Sequence, residues 1–287
     1  MVSVIIPTLN AERCINELLC SIEEQDYYVD EIIVVDSQSR DDTVEICKRH
    51  KNVKVVSILR SEFDHGKTRD MAFRLSKGEY VLFLTQDALL YDKYYITNIL
   101  KPFKDDMVAA VSGRQLARED ATSIETLIRE FNYPDEDNIR SKKDVPLLGV
   151  KTFFLSDVCS AYRRDIYEKI GGFEYPLRTN EDMFYAAEAI NHGYKIAYAS
   201  KAKVIHSHNF SLKQQYNRNF NIGMELEKHK EILSGVSADS EGTKMVKYVS
   251  LKLLKKAKFI SFVHFGLDCC ARLLGNRAGK RYARKNK

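Results

Sequence analysis

Six residues stand where a strand would end or a helix begin, and their types suit chemistry on a charged ligand. Asp36 closes Glu31-Ile32-Ile33-Val34-Val35, and Asp87 follows the apolar run Tyr80-Val81-Leu82-Phe83-Leu84 by way of Thr85-Gln86. Glu181 and Asp182 precede an apolar stripe with helical spacing, and His206 and His208 follow Ala202-Lys203-Val204-Ile205. In open α/β sheets, ligands sit outside the carboxyl ends of the strands. A carboxylate at Asp87 suits a metal or phosphate site; the plainer role is a turn Asp that ends the strand. Asp36 can accept an N–H from a pyrimidine base or a ribose hydroxyl, or it can cap the next helix. His206 and His208 are two apart on a strand, so they face one side. A neutral imidazole there can offer nitrogen to a divalent cation, although a lone histidine more often serves the structure. Glu181 and Asp182 in a first helical turn complement the helix dipole. Gly66-Lys67-Thr68-Arg69 at a helix start gathers backbone N–H groups, the dipole and two cations, a set that suits a diphosphate. A solvated basic turn is the alternative.

The elements that must position these residues are legible in order. Residues 2–7 form a short apolar strand, and Asn10 is expected to cap a helix with the stripe Ile15, Leu18, Leu19 and Ile22. Residues 31–36 form a buried strand. Ser39 and Asp42 open a helix through Val44, Ile46 and Cys47 in capping-box style, and residues 53–58 form a third strand. The helix after Arg69 turns Ala72, Phe73 and Leu75 inward and stops at Gly78, just before the strand that leads to Asp87. This β-α-β-α-β order predicts a parallel sheet with right-handed crossovers. No G-x-G-x-x-G follows the first strand and there is no Walker A loop, which argues against a dehydrogenase or a P-loop NTPase. Further on, residues 107–111 and 151–155 read as strands, 124–131 as a helix beside a polar loop, and 165–170 as a helix stopped by Gly171-Gly172. The stripe Met183, Phe184, Ala186, Ala187 and Ile190 marks another helix, and Tyr216, Phe220 and Met224 lie on one spanning 211–233.

The ordered motifs resemble family 2 glycosyltransferases. They are Pro7-Thr8-x-Asn10, Val35-Asp36-Ser37-x-Ser39-x-Asp41-x-Thr43, His65-Gly66-x-Thr68-Arg69, Gly78-Glu79-Tyr80 and Thr85-Gln86-Asp87-Ala88. Gly113-Arg114-Gln115-Leu116, Phe131-Asn132-Tyr133-Pro134 and Ser156-x-Val158-Cys159-Ser160-Ala161-Tyr162-Arg163-Arg164 resemble the rhamnosyltransferase branch. The resemblance covers about residues 2 to 225. It implies the GT-A fold: a Rossmann-like, mixed, mostly parallel sheet flanked by helices. It also implies an inverting, metal-assisted enzyme using a nucleotide-sugar donor, with deoxythymidine-diphosphate rhamnose as the branch's donor. The expected donor site is Pro7, Thr8, Asn10, Asp36, Ser37, Ser39, His65, Gly66, Arg69, Gln86 and Asp87. Asp182 is the expected general base, with Glu181 beside it. The cofactor is Mn²⁺ or Mg²⁺, held by Asp87 with His206 or His208. The family's usual strand-end pattern is Asp-x-Asp, and here its first Asp is Thr85. A histidine can offset that loss.

The 287-residue chain divides on this reading into a catalytic domain over 1–233, a linker over 234–243 and a basic amphipathic helical tail over 244–287. The tail holds 13 Lys/Arg and one acid, Asp268, leaving 32 basic and 39 acidic residues in 1–243. The positive charge is therefore local, and it suits an anionic membrane surface better than nucleic acid. No apolar run approaches the ~20 residues that cross a bilayer, and the N-terminus lacks a signal pattern. The six cysteines show no C-x-x-C pair and read as reduced thiols. The expectation is a cytoplasmic enzyme, peripheral at the inner face of the cell membrane, acting on a glycan or lipid-linked acceptor. Pairing of two subunits through the tail is the rival use of that segment. Other readings are a UDP-sugar donor, a sugar-nucleotide pyrophosphorylase, which would need a glycine-rich loop after the first strand, and a binder of nucleotide sugars without catalysis.

Overall fold

The computed structural model describes residues 1–233 and 239–286. The chain runs β1 (Val2–Thr8), α1 (Ile15–Glu23), β2 (Glu31–Asp36), α2 (Thr43–Lys48), β3 (Val53–Ser57), α3 (His65–Leu75), β4 (Tyr80–Leu84) and β5 (Leu89–Leu90). It continues through α4 (Tyr95–Leu100), β6 (Val108–Leu116), α5 (Ser123–Asn132), β7 (Asn138–Arg140), α6 (Val145–Leu148), β8 (Cys159–Arg163) and α7 (Arg164–Ile170). The last elements are α8 (Glu181–Asn191), β9 (Lys195–Ile205), α9 (Leu212–Lys228), α10 (Asp239–Lys255) and α11 (Phe259–Lys285).

The sheet has the order β3-β2-β1-β4-β8-β6-β9-β5, with β7 added on β9. Its first four strands are parallel, as the βαβ order requires, while β8 enters antiparallel between β4 and β6. The central strands are buried on both faces, which is why they read as unbroken apolar runs. One face packs against α1, α2 and α4 through Ile15, Leu18, Leu19, Cys47 and Ile96. The other packs against α3, α7 and α8 through an aromatic cluster that includes Phe73, Phe83, Tyr162, Tyr167, Phe173 and Tyr185. Phe73 and Tyr167 stack with centroids 3.8 Å apart. That cluster is the floor on which the first turn of α8 is set.

Several local expectations are corrected. Asn10 does not cap α1, because its Oδ1 accepts the Arg40 N–H at 2.9 Å and α1 starts at Ile15. Ser39 and Asp42 form no capping box: the Ser39 hydroxyl accepts the Asn10 N–H and donates to Asp36. The loops after β1 and β2 meet at one sheet end, so their polar side chains lace the two loops together instead of capping helices. α3 ends at Leu75 and its cap is Ser76; Gly78 lies beyond, donating its N–H to the Ser3 hydroxyl, and Leu75 is exposed. Residues 151–155 are not a strand, because Arg140 donates to the Lys151 and Phe154 carbonyls, and 149–153 coil into a 3₁₀ turn. Residues 234–238 of the expected linker lie outside the described residues, and residues 239–243 already belong to α10. The cysteines among the described residues are free thiols.

The tail packs closely on the body. Val249, Leu253 and Phe265 join Leu127 and Ile128 of α5, and α11 lies along α9. At Gly279 the two backbones come so near that a Cβ would run into the Phe220 carbonyl. An Ala in a helix is ordinarily worth ~1 kcal/mol more than Gly. Gly279→Ala is expected to show the opposite sign, losing about 1–3 kcal/mol by overpacking in a urea titration. A gain in stability would mean that the two helices separate freely.

Candidate functional site

Two clusters form at the carboxyl edge of the sheet. In the first, Asp87 comes from the loop after β4, and His206 and His208 come from the chain leaving β9. His206 Nε2 lies 3.5 Å from Asp87 Oδ1, and His208 Nε2 lies 3.5 Å from Asp87 Oδ2. One ligand atom from each lies within 4.8 Å of the others, so the set can close on one cation. Both imidazoles have lowered pKa values, first through burial, which favours the neutral form that ligates. His206 Nδ1 faces Gln115 Oε1 at 3.1 Å, a partner that points Nε2 at Asp87. Gln115 Oε1 also accepts from Arg129. The register is set by β5, whose Leu89 pairs with Ile205 and Leu90 with Val204. A carboxylate and two neutral imidazoles fit a divalent first-row cation. Thr85, in place of an acid, offers only a buried hydroxyl with no protein partner.

The second cluster surrounds the start of α8. Glu181 is buried, with Oε1 3.0 Å from Arg69 Nη1 and 3.7 Å from His65 Nδ1. Arg69 Nε lies 3.4 Å from Asp157 Oδ2. Asp157 is buried too, and accepts from Tyr162 at 2.6 Å and Ser160 at 2.7 Å. Asp182 is half-buried; it accepts the Asp157 backbone N–H at 3.1 Å and its own helix's Met183 N–H at 2.7 Å. Glu181 and Asp157 thus share one guanidinium, with Asp182 bonded to the Asp157 backbone beside them. Burial opposes the Arg69 charge, and Glu181, Asp157 and Asp182 outweigh it. Burial also opposes ionisation of Glu181, but Arg69 and then His65 prevail and bring its pKa to about 2. Asp157 keeps a raised value, first from burial. Asp182 is raised well above the usual range by burial, then by Glu181 and Asp157.

A short chain of bonds joins the clusters. Gln115, which holds His206, donates Nε2–H to Ser156 Oγ at 2.9 Å, and the next residue, Asp157, holds Asp182.

At the ends of β1 and β2, Pro7, Thr8, Leu9, Ser37, Arg60, Phe63 and Gln86 line a cavity of about 260 Å³. The Ser37 hydroxyl is buried without a protein partner. Gln86 is fixed by a two-way pairing with the Leu9 backbone, at 2.8 and 3.3 Å. A more polar cavity of about 470 Å³, lined by Arg13, Arg118, Gln86 and Asp87, adjoins the cation cluster.

Some expected site residues also hold the loops together. Asp36 is buried, and its oxygens accept from Ser39 N–H, Ser39 Oγ and Thr8 Oγ1, so it braces the two loops. Asn10 and Ser39 belong to the same lacing. The start of α3 is no open anion site: Asp64 caps Lys67 N–H, Gly66 packs so tightly on the Glu174 carbonyl that only a glycine fits, and Arg69 is enclosed by acids. Pro7, Thr8, Ser37 and Gln86 stay together at the cavity, and His65 stands with Glu181. Sequence reasoning missed Asp157, Gln115, Arg60 and Phe63. Asp157 was the unassigned position inside Ser156-x-Val158, and Gln115 stood inside a quoted motif with no role given to it.

Residues 3–171 match Glycosyl transferase family 2. The chain is 38% identical to the O-antigen chain rhamnosyltransferase RfbN of Salmonella typhimurium over 98% of its own length and 90% of that protein. It is 39% identical to the O-antigen chain rhamnosyltransferase WbaN of Salmonella anatum, over 98% and 89%. The mannosyltransferase PcManGT of Pyrobaculum calidifontis, solved with GDP-Man and Mn²⁺, superposes with a TM-score of 0.66 at 18% identity, covering 100% of this chain and 87% of that one. TarS residues 1–349 of Staphylococcus aureus, solved with UDP-GlcNAc, superposes with a TM-score of 0.60 at 18% identity, covering 100% and 92%.

Proposed function

The chain belongs to glycosyl transferase family 2, and from that premise we propose that it moves rhamnose from deoxythymidine-diphosphate rhamnose to a hydroxyl of a lipid-linked glycan. It is a glycosyltransferase with the GT-A fold, and it draws on a nucleotide sugar. The donor sugar and the acceptor are the finer part of the proposal, supported by the two rhamnosyltransferase relatives that span nearly the whole chain.

The observation that carries the mechanism is the division of labour between the carboxylates at α8. Glu181 is neutralised by Arg69 and is a poor proton acceptor. Asp182 is half-buried and has raised proton affinity, so it takes the proton from the acceptor hydroxyl. The freed oxygen attacks the anomeric carbon from the face opposite the leaving diphosphate, and the configuration inverts. The base of the donor occupies the cavity of Ser37, Arg60 and Phe63, with the aromatic ring as a stacking surface and the Ser37 hydroxyl as a hydrogen-bonding group. With Arg69 enclosed, Arg118 in the cavity beside Asp87 is the cation offered to the diphosphate. Asp87, His206 and His208 would hold a divalent metal, Mn²⁺ or Mg²⁺, which when bound supplies Lewis-acid stabilisation of the leaving diphosphate.

The purified chain is expected to transfer rhamnose with inversion, read by NMR of the product. Activity should cease on chelation and return with Mn²⁺, and His206→Ala should weaken Mn²⁺ binding measured by titration without substrate. A preference for UDP-sugars would replace the donor. Failure to release a nucleoside diphosphate from any nucleotide sugar would favour a binding protein without catalysis. Unchanged Mn²⁺ binding in His206→Ala would remove the histidine from the cation site.

A further inference from the structure

We propose that the N-terminal half of α11 is a docking face for an anionic lipid surface. α11 has two unlike sides. Phe265, Asp268, Gly275, Gly279 and Ala283 form its buried seam. Away from that seam, Phe259, Ile260, Val263, Leu267 and Leu274 are 64%, 80%, 61%, 50% and 59% exposed. Ile260, Val263, Leu267 and Leu274 follow helical spacing, so they make one continuous stripe. Exposed Lys255 and Lys256 stand before the stripe, and exposed Arg277 and Arg281 follow it. A large apolar stripe bracketed by cations matches a bilayer whose headgroups are negative and whose interior is apolar. No helix among the described residues is long and apolar enough to cross a membrane, so the face lies on the surface and does not span it.

The structure divides the apolar residues of the tail into two sets. Val249, Leu253 and Phe265 are buried against Leu127 and Ile128 and are not part of this face. The packing of α10 and α11 on the body leaves the stripe facing outward. A second copy of the chain is a poorer occupant. A two-fold contact through this face would set one cationic rim against another.

The proposal supplies the surface on which a lipid-linked acceptor would be met. It is read without substrate, so its failure and that of the transferase reading are distinct. The test is co-flotation of the full chain with phosphatidylcholine vesicles, with and without phosphatidylglycerol. The parent is expected to float only with the anionic vesicles and to be released by salt, since surface charges are screened within ~10 Å at 0.1 M. Ile260→Asp with Val263→Asp, and separately Lys255→Glu with Lys256→Glu, should each lower partitioning by about tenfold or more. All four side chains are exposed, so thermal midpoints and donor turnover in solution should hold. Equal flotation with both vesicle types, or undiminished flotation of both variants, would overturn the proposal. So would a dimeric parent that the aspartate variant makes monomeric while flotation persists, which would assign the face to a second copy.

Discussion

Asp182→Asn is expected to lower turnover by ~10²–10⁴-fold, the usual worth of a positioned general base, while donor affinity stays within about twofold. The amide keeps the size of the side chain, and its single oxygen can keep one of the two N–H groups, from Asp157 and Met183, that the carboxylate accepts on separate oxygens. Besides the other bond, it loses the ability to take a proton. The pH profile sharpens the test. Burial, Glu181 and Asp157 raise the Asp182 pKa, so the working, ionised form is gained as pH rises through a value above the ordinary ~3.9 of an aspartate. The parent's turnover should therefore carry an acid limb displaced upward, and the Asn variant should lack it. If Glu181→Gln abolishes turnover without loss of stability while Asp182→Asn stays active, the base is Glu181.

Arg69→Met should cost about 3–5 kcal/mol of folding stability at neutral pH, because it leaves buried carboxylates without their counter-charge. Arg69 is 5% exposed and Glu181 4%, so solvent screens the pair little. The sign with pH is informative. In the parent, Glu181 titrates near 2, below its unfolded value of ~4.3. Its stabilising contribution is full above the unfolded value and is lost as pH falls through about 2. Without Arg69, burial would raise the Glu181 pKa instead, so the variant would lose stability as pH rises above ~4.3. The gap between parent and variant should be widest near neutrality and narrow towards pH 4 in urea titrations. A gap that does not change with pH would mean that Arg69 acts by packing alone. The remaining carboxylates would also hold their protons more tightly, so the acid limb of turnover should move further up.

The sequence made the sheet's first half readable because those strands are covered on both faces and separated by amphipathic helices. It made Asp87, His206 and His208 readable as candidates because each follows an apolar strand. Their distances were not readable, since Leu89–Leu90 is too short to signal a strand and its partner lies far along the chain. β8 was hidden inside Cys159-Ser160-Ala161-Tyr162-Arg163, where small and polar residues fill positions that the aromatic cluster leaves narrow. The capping expected of Asn10 and Ser39 was misread for one physical reason. A polar side chain in a loop has several partners open to it, and the choice is made by the neighbouring loop, which local sequence does not describe. Arg69 shows the same limit: two cations at a helix start suit a phosphate until the fold brings Asp157 and Glu181 to one of them.

The β5–β9 pairing fixes more than a register. Asp87 stands two residues before Leu89, and His206 one residue after its partner Ile205, so a single pair of hydrogen-bonded rungs spaces the three donors. Everything from α4 to α8 intervenes in the chain yet contributes no length to that spacing. The interval works as a closed loop whose ends are already tied. Insertions or deletions in its loops, clear of Gln115 and Leu116 that hold His206, can change the surface around the site while the spacing of the three donors stays constant.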